Sequence, residues 1–418
     1  VRATKLIVIP AIAAVMTVAG CANSSSGGGG GSASGTGGSS GGSNGLKSLP
    51  EQTKIDVPAD AVKPAGDGKA VCAPTTTLAY VGAETGANAQ LGINIYNGVQ
   101  LAIDEHNKAN PKCQVQFKKF DTEGDPSKAT GPVTQAVNDK TIVGVVGLPF
   151  SGESKSTGKI FQQAGLPHIT PSATNPSLTQ NGWTTFFRGL GNDNVQGPAA
   201  AKLATTMLGG KKVFVVQDDS DYGIGLAKTT QAALPKADLV GTDKVTTGQK
   251  DFSATVQKVM NSKADVVFYS GYYAEGAPFD QQLVQKGFKG DFIGPDGVKD
   301  PQFIKQAGDA SKNAYFTCPC IPGDLIPSFA DAYKKVSGGT APGTYSVEGY
   351  DAATIMLTGI DKGKTTRSAM EQFIRTYDAD GLSKKYKWTS TGELESLPVY
   401  AYKVSNGNIV SAGVIPSS

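Results

Sequence analysis

Residues 143–174 read VGVVGLPFSGESKSTGKIFQQAGLPHITPSAT, and their order of strand, turn, helix, strand and turn decides the fold. Ile142–Leu148 is a short apolar, Val-rich run, the pattern of a strand buried on both faces of a parallel sheet. Pro149 and Phe150 break it. Ser151 stands at the N-cap position with Glu153 in the first turn, and the predicted helix runs to about Ala164, where Gly165 stops it. Leu166–Ile169 is the next strand, and residues 170–174 (TPSAT) leave it as a polar turn. Both strands end in hydroxyl residues at one sheet edge. A helix N-terminus lies beside them, and its free N–H groups and positive dipole end suit a small carboxylate.

Upstream, the chain opens with segments that build no core. Arg2 and Lys5 precede an apolar run, Leu6–Val18, too short to span a bilayer comfortably, and the run ends Val18-Ala19-Gly20-Cys21. This resembles a bacterial lipoprotein signal, which implies cleavage after residue 20 and diacylglycerol on the Cys21 sulfur. Residues 22–45 are almost wholly Gly, Ser, Ala and Asn, a flexible tether. Residues 46–70 are polar, contain Pro and lack periodicity, and read as further linker. Segments 1–20 and 21–70 are therefore expected to be signal peptide and lipidated tether.

Downstream, strand and helix patterns alternate from Thr75 to Cys318, with a break near 188–196. Alternation predicts parallel sheets covered by helices, and the break predicts two of them. The formal net charge is +3, without a basic run, so no nucleic-acid partner is expected.

Ligands of open α/β sheets bind beyond the carboxyl ends of strands. At those ends the second run offers Tyr222 after an acidic turn, Tyr272 after Gly271, and Asp296 within Pro295-Asp296-Gly297. Set against Ser151, Ser172 and Thr174, they divide into donors for a carboxylate and acceptors for an ammonium. Each has a plain structural reading as well: Ser151 as a helix cap, Ser172 and Thr174 as turn residues before Pro176, the tyrosines as packing, and Asp296 as a β-turn residue. Their coincidence at strand ends points to a zwitterion held between two domains.

Catalysis finds little support. The histidines are His106, expected on an exposed helix face, and His168, inside a strand, and their spacing is not that of metal ligands. Ser151 lies in PFSGE rather than a G-x-S-x-G elbow, and the glycines 223 and 225 lack the third of a dinucleotide fingerprint. No cofactor, metal or enzymatic activity is expected.

The ordered set GVQLAIDEHN (98–107), FDTEGDPSKA (120–129), GLPHITPSATNPSLT (165–179), FRGLGNDNVQGP (187–198), DYGIGLA (221–227), SGYY (270–273) and GPDGV (294–298) resembles the leucine/isoleucine/valine-binding proteins of ABC importers. The resemblance runs from about Thr75 to Ile409. It implies an α/β, two-lobed type I periplasmic-binding-protein fold. Each lobe would be a doubly wound, mainly parallel sheet, with three hinge crossings. Residues 71–193 and 321–395 would form the N-terminal lobe, and 194–320 and 396–418 the C-terminal lobe. By position, Ser151, Ser172, Ala173 and Thr174 would hold the α-carboxylate or ammonium, Tyr222 and Tyr272 would line the second lobe, and Asp296 would meet the ammonium. The family usually carries Glu there, a methylene longer. Leu91 stands where relatives often have an aromatic residue, and Phe150 replaces a cysteine.

The implied protein is a monomeric solute receptor, lipid-anchored on the extracytoplasmic face of the cell membrane. It would carry an α-amino acid, branched-chain or aliphatic, to permease subunits of an importer. The alternatives are a receptor for an amide, urea-like compound or aromatic acid, and a sensing module that regulates a partner. Four cysteines remain beside Cys21 in an oxidising setting. Cys72 and Cys113 precede strands that lie side by side in a doubly wound sheet and so are expected to pair, leaving Cys318 and Cys320 for each other.

Overall fold

The computed structural model describes residues 49–394 and 397–416. The expected signal peptide, Cys21 and the Gly/Ser tether lie outside the described residues.

The first sheet takes its strands from β1 (Thr77–Gly82), β2 (Gln116–Asp121), β3 (Ile142–Gly147), β4 (His168–Thr170) and β5 (Phe186–Arg188), in the order β2-β1-β3-β4-β5 and all parallel. β1 and β3 are buried throughout, as their apolar runs require, whereas β2 is an edge strand whose lysines, Lys118 and Lys119, guard it against further pairing. Between them run α1 (Ala89–Ala109), α2 (Thr130–Asn138) and α3 (Ser151–Ala164).

The chain then crosses to the second sheet through α4 (Asp193–Lys202). There β6 (Val213–Gln217), β7 (Leu239–Lys244), β8 (Val266–Ser270), β9 (Asp291–Gly294) and β10 (Ala314–Cys318) alternate with α5 (Asp221–Ala233), α6 (Ser253–Ser262), α7 (Tyr273–Gln285) and α8 (Pro301–Ala307). It returns as α9 (Pro327–Val336), α10 (Ser346–Asp361) and α11 (Arg367–Arg375), with a short hairpin of β11 (Asp378–Asp380) and β12 (Lys385–Lys387). α10 lies against α1 because glycines face the contact. A Cβ on Gly98 would stand 2.1 Å from Ser346 O, and one on Gly349 2.7 Å from Ile95 O. A last crossing delivers β13 (Tyr400–Ser405) and β14 (Asn408–Val414), an antiparallel hairpin that extends the second sheet to the order β14-β13-β10-β9-β8-β6-β7.

Residues 49–70 run along the folded lobes and are fastened to them. Leu49 is buried in the core of the second sheet, its carbonyl accepts Lys403 Nζ (2.6 Å), and Gln52 N donates to Ser411 O (2.8 Å). Farther on, Val62 N donates to Asp380 O (2.8 Å), and Asn110 bonds both Ala65 O and Ala70 N (3.1 Å each). The segment straps one sheet's edge to the other's helices through backbone bonds that carry no sequence periodicity. Cys72 is bonded to Cys113 with Cα atoms 4.6 Å apart, at the starts of the paired strands β1 and β2, and Cys318 to Cys320 with Cα atoms 5.0 Å apart. The first bridge closes 41 residues, worth about 4 kcal/mol in the chain-entropy account.

Two of the crossings and the β11–β12 hairpin meet at one buried ion pair. Glu348 Oε1 accepts from Lys384 Nζ (2.9 Å) and from Ile321 N (3.0 Å), while Lys384 Nζ reaches Gly189 O (3.5 Å). Gly189 and Ile321 belong to the first and second crossings, and Lys384 to the turn between β11 and β12. Removing one partner of a buried pair strands the other without compensation, at a cost of about 3–5 kcal/mol. Lys384→Met is therefore expected to lower unfolding stability by about that amount, and adding Glu348→Gln to recover most of it. Urea unfolding of the single and double variants measures this; a loss below about 1 kcal/mol in the single variant would contradict it.

Candidate functional site

At the first sheet's carboxyl edge, two βα turns are stitched together by hydroxyls. Thr170 Oγ1 donates to Leu148 O (2.8 Å), Ser172 Oγ donates to Pro149 O (2.8 Å), and Ser151 Oγ accepts from Asn175 N (3.2 Å). Phe150, not Ser151, is the N-cap: its backbone is extended, and Ser151 is already helical. Glu153 Oε2 accepts Phe150 N (3.3 Å), closing the first turn in place of a capping serine. Ser151 thus keeps its hydroxyl proton, whereas Ser172 has committed its own to Pro149.

The second lobe answers with an acid. Asp296, two residues beyond β9, is wholly buried. Tyr222, in the first turn of α5, donates its hydroxyl to Asp296 Oδ1, and Gln196 Nε2 on α4 donates to the same oxygen (2.6 Å). Tyr345 donates its hydroxyl to Oδ2. Among the described residues, no Lys, Arg or His pairs with Asp296; Lys299 instead lies over the Tyr402 ring (4.1 Å) and donates to Thr344 Oγ1 (3.3 Å). Burial pushes the Asp296 carboxyl up, against the three hydrogen bonds that favour its charge. Burial and the Asp296 charge raise the Tyr222 and Tyr345 hydroxyls as well, which keeps them donors.

These groups enclose a small cavity of about 200 Å³. The first lobe lines it with Leu91, Phe150, Ser151 and Ser172, and the second with Tyr222, Tyr272 and Asp296. The structure adds Pro149 and Tyr345. Tyr345 went unnoticed in the sequence because it follows no strand; it precedes α10 with φ +68°, a conformation few non-glycine residues adopt. Gln196 was missed too, as an interior helix residue whose role depends on the long-range approach of Asp296. Ala173 and Thr174 do not line the cavity. Ala173 O accepts from Arg188, and Thr174 O from Asp193 N (3.0 Å), so both serve the first crossing.

The histidines lie elsewhere. His168 stacks on Phe161 (centroids 4.1 Å apart) in the first lobe's core, where burial pushes its pKa down to about 3 and keeps it neutral. His106 is fully buried rather than exposed, with Nε2 2.8 Å from Asp361 Oδ1. His106 and Asp361 come close to Cys113, but that sulfur is bonded to Cys72 and offers no thiolate to a metal.

Residues 75–408 match the periplasmic binding protein family. The chain belongs to it. A Leu/Ile/Val-binding protein from Rhizobium johnstonii is 30% identical over 345 residues, 80% of this chain and 93% of that protein. Two solved structures share the architecture with a TM-score of 0.73 each. One is a leucine-binding protein from Thermotoga maritima, 26% identical, covering 81% of this chain and 98% of that one. The other is a branched-chain amino-acid transporter substrate-binding protein from Streptococcus pneumoniae in complex with isoleucine, 25% identical, covering 80% and 99%. In this binding protein, as in the type I fold at large, two α/β lobes face each other across a cleft, and the cavity sits in it.

Three more buried carboxyls surround the site. Burial, the largest cause in each case, pushes Glu153 and Asp218 up to about 7 and Asp193 up to about 8. The unfolded chain gives up these protons near pH 4, while the folded binding protein keeps them until pH 7–8. The unfolded state therefore binds fewer protons across that window, and these groups make stability fall as pH rises through it. Asp193→Asn removes the widest-shifted of the three, so the stability difference between pH 5 and pH 8 is expected to shrink. Urea unfolding at both pH values checks this, and an unchanged difference would rule Asp193 out.

Proposed function

We propose that this binding protein captures an aliphatic α-amino acid between its lobes and delivers it to the permease of an ABC importer. The observation that carries the reading is Asp296: a fully buried acid with no cationic partner among the described residues, facing a helix N-terminus and a free serine hydroxyl across the cleft. A carboxylate has about four acceptor positions, and three are taken, which leaves one for an N–H of the ligand's ammonium. The ligand carboxylate would lie at the Ser151 end of the cavity, where the first-turn amides of α3 supply donors. The names of the relatives, Leu/Ile/Val-binding proteins and an isoleucine complex, support the aliphatic class.

The three donors already on Asp296 favour a second reading, in which the ligand is an uncharged amide or urea-like solute that needs no counter-charge. Asp296→Asn separates the two. For an amino-acid receptor, isothermal calorimetry with leucine, isoleucine, valine and alanine should show affinity falling at least 100-fold, since the ammonium loses its only opposite charge. Retained affinity for an amide with no amino-acid binding in the parent protein would support the second reading.

Export and anchoring rest on Cys21 and the segment before it. No helix of the described residues is long and apolar enough to cross a membrane. Cys21→Ser is expected to move the mature protein from the membrane fraction to the soluble extracytoplasmic fraction, as loss of a lipid anchor requires. Fractionation that finds the variant still membrane-bound after signal removal would contradict it.

A further inference from the structure

The inner cavity has a neighbour. An outer cavity of about 1290 Å³, open to solvent, lies between the lobes and is lined by Asn88, Gly124 and Gly152 on one side and Ser220 and Thr247 on the other. The two cavities share only Phe150 and Tyr272. Those rings, one from each lobe, meet edge to face with centroids 5.0 Å apart and planes at 89°. They are the partition between a space of about 200 Å³ and one several times larger.

The partition is braced on both sides. Phe150 is held at its backbone by Glu153 and backed by Gly124, where a Cβ would come within 2.9 Å of the ring. Gly124 has φ +71°, so the loop behind the ring favours glycine on conformational grounds too. Tyr272 packs on Tyr222 (centroids 5.1 Å apart) and against Gly297, where a Cβ would stand 2.9 Å from both tyrosine rings. A ligand clamped by Asp296 and Ser151 has Leu91, Pro149 and Tyr345 on its remaining sides.

We propose that the Phe150–Tyr272 partition makes Phe150 the specificity-determining residue of the site and confines the ligand to short side chains, alanine and valine ahead of leucine and phenylalanine. The inference rests on the amino-acid reading above and narrows it. Removing the Phe150 ring joins the inner cavity to the outer one, which gives a longer side chain its space and leaves a short one loosely packed.

The test is calorimetry of alanine, valine, leucine and phenylalanine against the parent protein, Phe150→Ala and Phe150→Leu, with thermal melts to confirm folding. The parent is expected to bind alanine or valine at least ten-fold more tightly than leucine and phenylalanine. Phe150→Ala should gain at least ten-fold for the two larger ligands and lose affinity for the smaller, with Phe150→Leu between. The parent's own ranking tests the inference even where a variant fails to fold. Leucine binding the parent as tightly as valine, or a ranking unchanged by Phe150→Ala in a folded variant, overturns the inference alone. No amino acid binding the parent overturns the amino-acid reading and the inference with it.

Discussion

Glu348 ties two of the crossings to the first lobe. Its carboxylate, wholly buried, is shared by the backbone of the second crossing and the lysine of the β11–β12 turn, and that lysine touches the carbonyl of the first crossing. A charge in such a place costs several kcal/mol of desolvation, and only a well-placed partner offsets it. The geometry supplies one, with an extra N–H bond to spread the charge. Around it, Arg188 binds Glu393 through Nε and Nη2 and holds the carbonyl of Asn175 (2.9 Å), while Trp388 Nε1 donates to Arg188 O (2.7 Å). These bonds join the first crossing to the third and the second to the first lobe's helix α10. A few chain crossings between two lobes are the usual place of a hinge.

The site borrows its rigidity from the same source. Hydroxyls that look from the sequence like ligand donors are largely spent on fastening β3's turn to β4's turn, and Ser172 is the clearest case. Their net worth, roughly 0.5–1.5 kcal/mol each, goes into holding Ser151 and the α3 N-terminus still. On the other side, desolvation of Asp296 outweighs the three bonds it accepts, as the upward shift of its pKa records. On the proposed reading, the ligand's positive charge would relieve the penalty that the protein's neutral donors leave in place.

Much of this was legible. Apolar runs placed β1, β3, β6 and β8, and the rule that ligands gather beyond strand ends gathered Ser151, Tyr222, Tyr272 and Asp296 from residues as much as 145 apart, all four now around one cavity. Ser151 misled as an N-cap because serine is favoured there, yet Glu153 supplies the closing bond to Phe150 and the cap needs no hydroxyl. His106 was expected on an exposed helix face, but α10 and residues 65–70 cover that side, and neither covering segment announces itself locally. The C-terminal hairpin had a signal that went unused: Asn406-Gly407, both with positive φ, is the favoured two-residue turn between antiparallel strands. Gln196, Tyr345, Glu348 and Lys384 had none, because their roles come from contacts 27 or more residues away along the chain.

Gln196 joins the two halves of the account. Its amide nitrogen donates at once to Asp296 (2.6 Å) and to the carbonyl and hydroxyl of Thr317 (3.1 and 3.2 Å), the residue before Cys318 at the end of β10. Thr317 leads directly into the second crossing, where Tyr402 holds the carbonyl of Cys320 (2.7 Å) and Glu348 holds Ile321. Gln196 itself sits one turn into α4, the helix on which the first crossing lands. The acid that faces the cavity is therefore hydrogen-bonded, through one side chain, to the strand that runs into the second crossing, from the helix that receives the first. It cannot shift without either breaking buried bonds, each costly to leave unmade, or carrying Gln196 and Thr317 with it. On the proposed reading, a ligand bound to Asp296 would act through Gln196 on the strand that leads into the second crossing.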